Sequence, residues 1–139
     1  MMAAPLILGN DVRSFLKSDG TVDEGNAALQ IVTNADMIAV DQDPLGLQCR
    51  RIATTGLQDT LVKPLANGDI ALCFFNKASE SKPFVLSLQS LAAKDFVDLP
   101  FAESYRVTDL WNKHSDTVEN DLRCTVAPHG VKVFRISAN

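Results

Sequence analysis

Carboxylates are the groups in this sequence best placed to do chemistry. Asp11 follows the all-apolar run Leu6-Ile7-Leu8, with Asn10 before it and Arg13 two residues on. If that run is a strand, its carboxyl end carries Asn10, Asp11 and Arg13, and in a barrel that end is where functional side chains project. An Asp with an Arg at this spacing reads as a reacting carboxylate or as a buried ion pair that shapes the mouth of a site, and the ion pair is the expected role. Asp41 and Asp43 lie two apart, and Pro44 pushes Asp43 towards an extended backbone. They read as an acid/base pair or as groups that cap a helix end and fix a junction, and the second is expected.

The remaining reactive side chains give no constellation. His129 lies in a Pro-His-Gly turn and His114 in a polar stretch, with no triad or metal spacing around either. The three cysteines, Cys49, Cys73 and Cys124, fit no zinc pattern. Cys73 and Cys124 fall in apolar or alternating runs, so buried free thiols are expected. There is no G-x-G-x-x-G, P-loop, H-E-x-x-H or C-x-x-C. No metal site and no cofactor are expected. Tyr105 and Trp111, the one Tyr and the one Trp, fall on one face of an expected strand and read as core.

These residues sit in a chain of 139 residues, 46% hydrophobic and 22% charged. Mean hydropathy is +0.04. That is a globular composition, long enough to bury roughly 68–70% of its unfolded surface. It is too short for a complete (β/α)8 barrel, which takes about 250 residues. No apolar run is long enough for a transmembrane helix. A net charge of −4 argues against nucleic-acid and anionic-membrane partners. An odd number of cysteines and the lack of an Asn-x-Ser/Thr sequon lean towards a reducing, cytoplasmic setting. The Met1–Leu8 segment lacks the basic start of a signal peptide and reads as the inside of a fold.

Charge and period both divide the chain near Pro44-Leu45-Gly46. Residues 1–47 carry two basic and seven acidic side chains, and eight of the nine aromatics come later. Leu6-Ile7-Leu8, closed by Gly9-Asn10-Asp11, reads as a strand buried on both faces. Thr21 and Glu24 are spaced as a capping box for a helix through Ala27–Val32. Thr33-Asn34 interrupts it, and a second helix runs over 35–40.

After residue 48 the period becomes two. Strands are expected over Gln48–Thr54, Thr60–Leu65, Asp69–Asn76, Phe84–Leu88, Tyr105–Trp111, Leu122–Val126 and Val131–Ile136. Asn67-Gly68 makes a hairpin turn, the run from Ile70 to Phe75 is central, and Pro64 places its strand at an edge or bulge. Short strands with turns every 8–15 residues mean an antiparallel sandwich. The lone parallel-type strand at the start needs neighbours on both sides that the chain does not contain. The sandwich is therefore expected to fold by itself, with residues 1–46 frayed or docked on another chain.

Two blocks carry a family resemblance. Met2-Ala3-Ala4-Pro5-Leu6-Ile7-Leu8-Gly9-Asn10-Asp11-Val12-Arg13 resembles the last barrel strand of the α-galactosidase (melibiase) family, glycoside hydrolase family twenty-seven. Its pattern there is M-A-A-P-L-hydrophobic-x-(S/G)-N-D-(L/V/M)-R. Ile31–Gly46 is similar to the family's L-(T/x)-N-x-x-V-I-A-(I/V)-N-Q-D-P-L-G. Weaker matches are Lys63-Pro64-Leu65 with Asn67-Gly68-Asp69, then Asp109-Leu110-Trp111, then Pro128-His129-Gly130-Val131. The chain departs from the pattern at Asp41, where Asn is usual, at Cys49, where Gly is common, and in the longer stretch 14–26.

The resemblance implies a mainly β fold. Residues 1–46 would be the last strand and helix of a (β/α)8 catalytic barrel, and residues 47–139 a C-terminal antiparallel β-sandwich. It implies a retaining exo-glycosidase acting on terminal α-galactosides, with two aspartates about 5–5.5 Å apart. The K-x-D strand and the aspartate ahead of W-N-D-P-D-M that carry them have no counterpart here. No catalytic residue is therefore assigned, and the chain alone is expected to be inactive. Asn10, Asp11 and Arg13 take a supporting place near the substrate. The implied partners are an α-galactoside-type carbohydrate, held by the absent barrel, and the upstream barrel segment itself. A stand-alone carbohydrate-binding or assembly module is the alternative. So is a parent specific for N-acetylgalactosamine, β-L-arabinopyranose or isomalto-oligosaccharides.

Overall fold

The computed structural model describes residues 3–139. Met2 of the first sequence block lies outside the described residues. A 3-10 helix, Val12–Phe15, is followed by α1 (Ala27–Val32) and α2 (Ala35–Asp41). Then come β1 (Arg50–Thr55), β2 (Gln58–Pro64), β3 (Ile70–Asn76), β4 (Lys82–Ser87), α3 (Leu88–Ala92), β5 (Tyr105–Asp109), β6 (His114–Val118), β7 (Asp121–Val126) and β8 (Val131–Ala138). Among the described residues no helix is long and apolar enough to cross a membrane.

Six strands form one sheet in the order β1-β2-β3-β8-β5-β6, and β4 and β7 form a second. Every pairing is antiparallel. The mainly β, antiparallel fold read from the period-two pattern is therefore present. Alternation along the strands sends Val62, Ile70, Leu72, Phe74, Phe134 and Ile136 into a core shared with Phe84, Leu122 and Val126 of the small sheet. Phe74 sits at its centre, 4.9 Å from the Phe84 ring and 6.1 Å from Phe134 in an edge-on contact. Burying such a ring contributes roughly 1.5–3 kcal/mol.

The opposite face of the large sheet is also covered. Leu65, Ala71, Cys73, Leu110 and Val133 form a second cluster with Val40 of α2, and Met37 and Trp111 pack against it. β3 is buried along nearly its whole length for this reason, as its two-sided apolar sequence requires.

Several sequence expectations are corrected. Leu6-Ile7-Leu8 forms no strand, and Leu6 is 55%, Ile7 89% and Leu8 55% exposed. No described strand runs beside it to complete a ladder. The expectation that residues 1–46 would be frayed or held by another chain fails for α2, which docks on the sandwich of its own chain. Thr21 and Glu24 form no capping box. Thr21 bonds Asp19, and Asn26 caps α1 by accepting from the Leu29 amide. β2 is not an edge strand, yet Pro64 is tolerated because it ends β2 beyond the last residue paired with β1. Leu88 leaves the β4 alternation and starts α3, capped by Ser87. Trp111 lies past the end of β5, and the polar stretch around His114 forms β6.

Candidate functional site

The 3-10 helix places the first candidates. Asp11 is its N-cap, accepting from the Arg13 amide at 3.0 Å. The same carboxylate takes a two-pronged contact from the Arg13 guanidinium, Nε to Oδ1 at 2.9 Å and Nη2 to Oδ2 at 2.7 Å. Arg13 holds the Asp11 carboxyl below its usual range, and Asp11 raises the guanidinium in turn. Asp11 thus has its carboxylate engaged by its own turn. The ion pair read from the sequence is present, but it is exposed rather than buried, with side-chain exposures of 85% for Arg13 and 54% for Asp11. Asn10 is exposed beside it.

A second group of polar residues joins α2 to the sheet. Asn34 caps α2, accepting from the Asp36 and Met37 amides at 3.1 Å, and its Nδ2 donates to the Leu110 carbonyl at 3.2 Å. Lys113 pairs with Asp36. Asp43 accepts from the Leu45 amide and from the Ala66 amide of the β2–β3 turn, both at 3.1 Å. At the other end of the helix the fully buried Lys63 donates to the carbonyls of Val40, at 2.5 Å, and Asp41, at 3.3 Å. Asp43 thus sits at the junction through its carboxylate and Asp41 through its backbone carbonyl, while the C-cap of α2 is Gln42 rather than either aspartate. The sequence reading quoted Lys63 only within a weak family match and gave it no role. A lysine opposite Ala71, at a core-facing register between Leu61 and Leu65, was the available signal.

The other candidates stay apart. His114 Nε2 lies 3.1 Å from Asp116 Oδ1 at the surface, and His129 occupies its turn with φ 52°. All three cysteines are free. Burial pushes the Cys73 thiol up to about 11, far from a nucleophile's range. Cys124 is half-buried rather than buried, and burial raises it too. Tyr105 is fully buried in the inter-sheet core, as expected, while Trp111 packs in the α2 cluster. The two do not share a face. The Trp111 indole N–H is buried with no acceptor among the described residues. Among those residues no group of three or more His, Cys, Asp or Glu could hold a metal ion. An apolar cleft of about 310 Å³ runs between Leu6, Ile7 and Leu8 on one side and Ile31, Val32, Met37 and Ile38 on the other.

Comparison with known proteins gives this arrangement a context. The chain is 31% identical to alpha-galactosidase A of Cellvibrio japonicus, across 98% of the chain and 32% of that protein. It is 34% identical to alpha-galactosidase 3 of Arabidopsis thaliana, across 86% of the chain and 24% of that protein. The chain thus spans about a quarter to a third of the length of these curated relatives. Among solved structures it is similar to alpha-galactosidase I of Mortierella vinacea, with TM-score 0.79, 25% identity, and coverage of 99% of this chain and 32% of that one. It is also similar to a putative alpha-galactosidase of Bacteroides fragilis, with TM-score 0.74, 31% identity, and coverage of 99% and 26%. The family pattern described as "Alpha galactosidase C-terminal beta sandwich domain" matches residues 55–136, the greater part of the chain, and the chain belongs to that family.

Proposed function

We propose that this chain is the C-terminal portion of a retaining, exo-acting α-galactosidase-like glycosidase, and that by itself it does not hydrolyse glycosides. The observation that carries the reading is the run Leu6-Ile7-Leu8. Three consecutive large apolar residues stand exposed beside an apolar cleft. Exposed apolar surface of that kind calls for a cover. Seven upstream βα units would supply it, and with them the two carboxylates that retaining hydrolysis needs.

In this reading residues 1–46 are the last βα unit of the barrel, and 47–139 are the sandwich that braces it. With the upstream units flanking it, Leu6-Ile7-Leu8 would pair as the last barrel strand, and Asn10, Asp11 and Arg13 would stand at its carboxyl end. The Asp11–Arg13 pair is spent on itself and on capping the 3-10 helix, so its role is to shape the rim near the sugar rather than to transfer protons. The sugar is held by the upstream barrel, and no cofactor takes part.

Reading the coding DNA immediately 5′ of Met1 tests the proposal. An in-frame extension carrying a barrel with a K-x-D strand supports it. A stop codon in frame, followed by a promoter and ribosome-binding site for Met1, overturns it.

A further inference from the structure

We propose that the loop joining α3 to β5 is a binding site for a neutral saccharide, with the Phe101 ring as the platform on which a sugar ring lies. The class of ligand follows from the donors and acceptors of the loop itself, so the site does not depend on the function proposed above.

The loop is held in one shape from within. Val97 and Leu99 are sunk in the inter-sheet core, 0% and 3% exposed. The Val97 amide donates to the Lys94 carbonyl at 2.9 Å, and Gln89 Nε2 donates to the Ala102 carbonyl at 2.7 Å. The hydroxyl of the buried Tyr105 accepts from the Ala102 amide and donates to the Pro100 carbonyl, both at 3.2 Å. Phe101 therefore stands between two neighbours whose backbones are bonded. Its own ring is nevertheless 69% exposed, while the other eight aromatics are buried or half-buried. Covering the ring is the main contribution a Phe can make, and this chain leaves it to a ligand. A platform already fixed in place keeps the ordering cost of binding low.

The groups around the ring select the ligand. Lys94, Asp95, Asp98, Leu99, Pro100 and Phe101 line a depression of about 360 Å³, a volume suited to a small molecule. Among the described residues the side chains of Lys94, Asp95 and Asp98 make no hydrogen bond or ion pair. The two carboxylates offer acceptors and the ammonium offers donors. Lys94 disfavours a cation, and Asp95 with Asp98 disfavours an anion. An uncharged pyranose fits all of these groups at once. Its C–H face lies on Phe101, its hydroxyls donate to the carboxylates, and a ring or hydroxyl oxygen accepts from Lys94.

Titration of the isotope-labelled chain with melibiose, and in parallel with cellobiose, followed by amide NMR, tests the site. With at least one of the two sugars the amides of residues 92–103 are expected to shift progressively, with a Kd of about 1–10 mM, the affinity of an open site that covers one face of a ring. The β3 amides should stay where they are. Phe101→Ala removes an exposed ring, so Tm should hold while binding weakens at least about fivefold. A second variant, Asp95→Asn with Asp98→Asn, replaces charged acceptors by weaker neutral ones and keeps at position 98 a residue type that tolerates φ 56°. It should weaken binding about threefold. The proposal is overturned if neither sugar shifts these amides up to about 100 mM, well above the expected Kd. It is overturned equally if both variants bind as the parent sequence does, or if spermidine occupies the loop more tightly than either sugar, which would make it a cation site. No hydrolysis is read in these titrations, so failure of the site and failure of the proposed function are told apart.

Discussion

Asn34 both caps α2 and ties it to the sandwich, which makes it a direct probe of the helix-on-sheet arrangement. Its Oδ1 caps the helix at the Asp36 and Met37 amides, and its Nδ2 donates to Leu110 across the interface. Asn34→Ala removes both. A lost N-cap costs about 1 kcal/mol and a lost half-buried hydrogen bond about 1 kcal/mol more. The expected loss is about 2 kcal/mol. For a chain of this size that corresponds to a fall in Tm of about 6–10 °C. Asn34→Asp keeps the capping oxygens but loses the Nδ2 donor, so it should show roughly half the effect. Trp111, the one tryptophan, follows Leu110 directly and packs in the cluster that α2 covers, so its fluorescence reports the joint. The assay is thermal unfolding followed at once by tryptophan emission and far-ultraviolet dichroism. An Asn34→Ala chain that melts with the parent sequence by both probes would refute the docking of α2 on the sheet.

Three further outcomes are expected. Asn76 is fully buried, and its amide donates to the carbonyls of Glu80, Val126 and Ala127, so Asn76→Ala should cost about 3 kcal/mol in urea unfolding. Lys77 beside Asp59 holds that buried carboxyl below its usual range, with Thr54 and Arg51 helping. For Asp109, burial raises the carboxyl but is outweighed by donation from Asn112 and Trp111 and by Lys132. Both groups bind protons more readily when unfolded, so their contribution is complete above about pH 5 and declines as pH falls through the folded values, below about pH 4. Unfolding midpoints between pH 2 and 6 check this, and Asp59→Asn should flatten the slope. Cys73, buried and pushed up to about 11, should resist alkylation at pH 8 until the chain unfolds, whereas the half-buried Cys49 reacts in the native state.

The β-rich half was legible because its signals are local. Asn67-Gly68 between apolar runs forms the expected turn, with Gly68 at φ 83° and the Leu65 amide bonded to Asp69. The two-sided apolar run of β3 announced a covered sheet. β6 went unseen because its His-Ser-Asp-Thr-Val sequence holds one apolar residue, as suits an edge strand exposed along most of its length. α3 was overlooked although Ser87 and the helical spacing of Leu88, Leu91 and Ala92 were readable, because the Phe84-Leu86 alternation runs straight into it. The candidate site was less legible. The Asp11–Arg13 pair followed from spacing, but its exposure depends on what covers the segment, which no local pattern encodes. Lys63 escaped because a lysine in a strand reads as solvent-facing until the helix above it is placed.

The central claim is that this chain is the brace and last segment of a glycosidase whose reactive carboxylates lie elsewhere. Incubating the purified chain with an aryl α-galactoside tests it most directly. Release of the aryl alcohol no faster than in buffer is predicted, at any pH from 4 to 8. Turnover that co-elutes with the chain through repeated purification would contradict it.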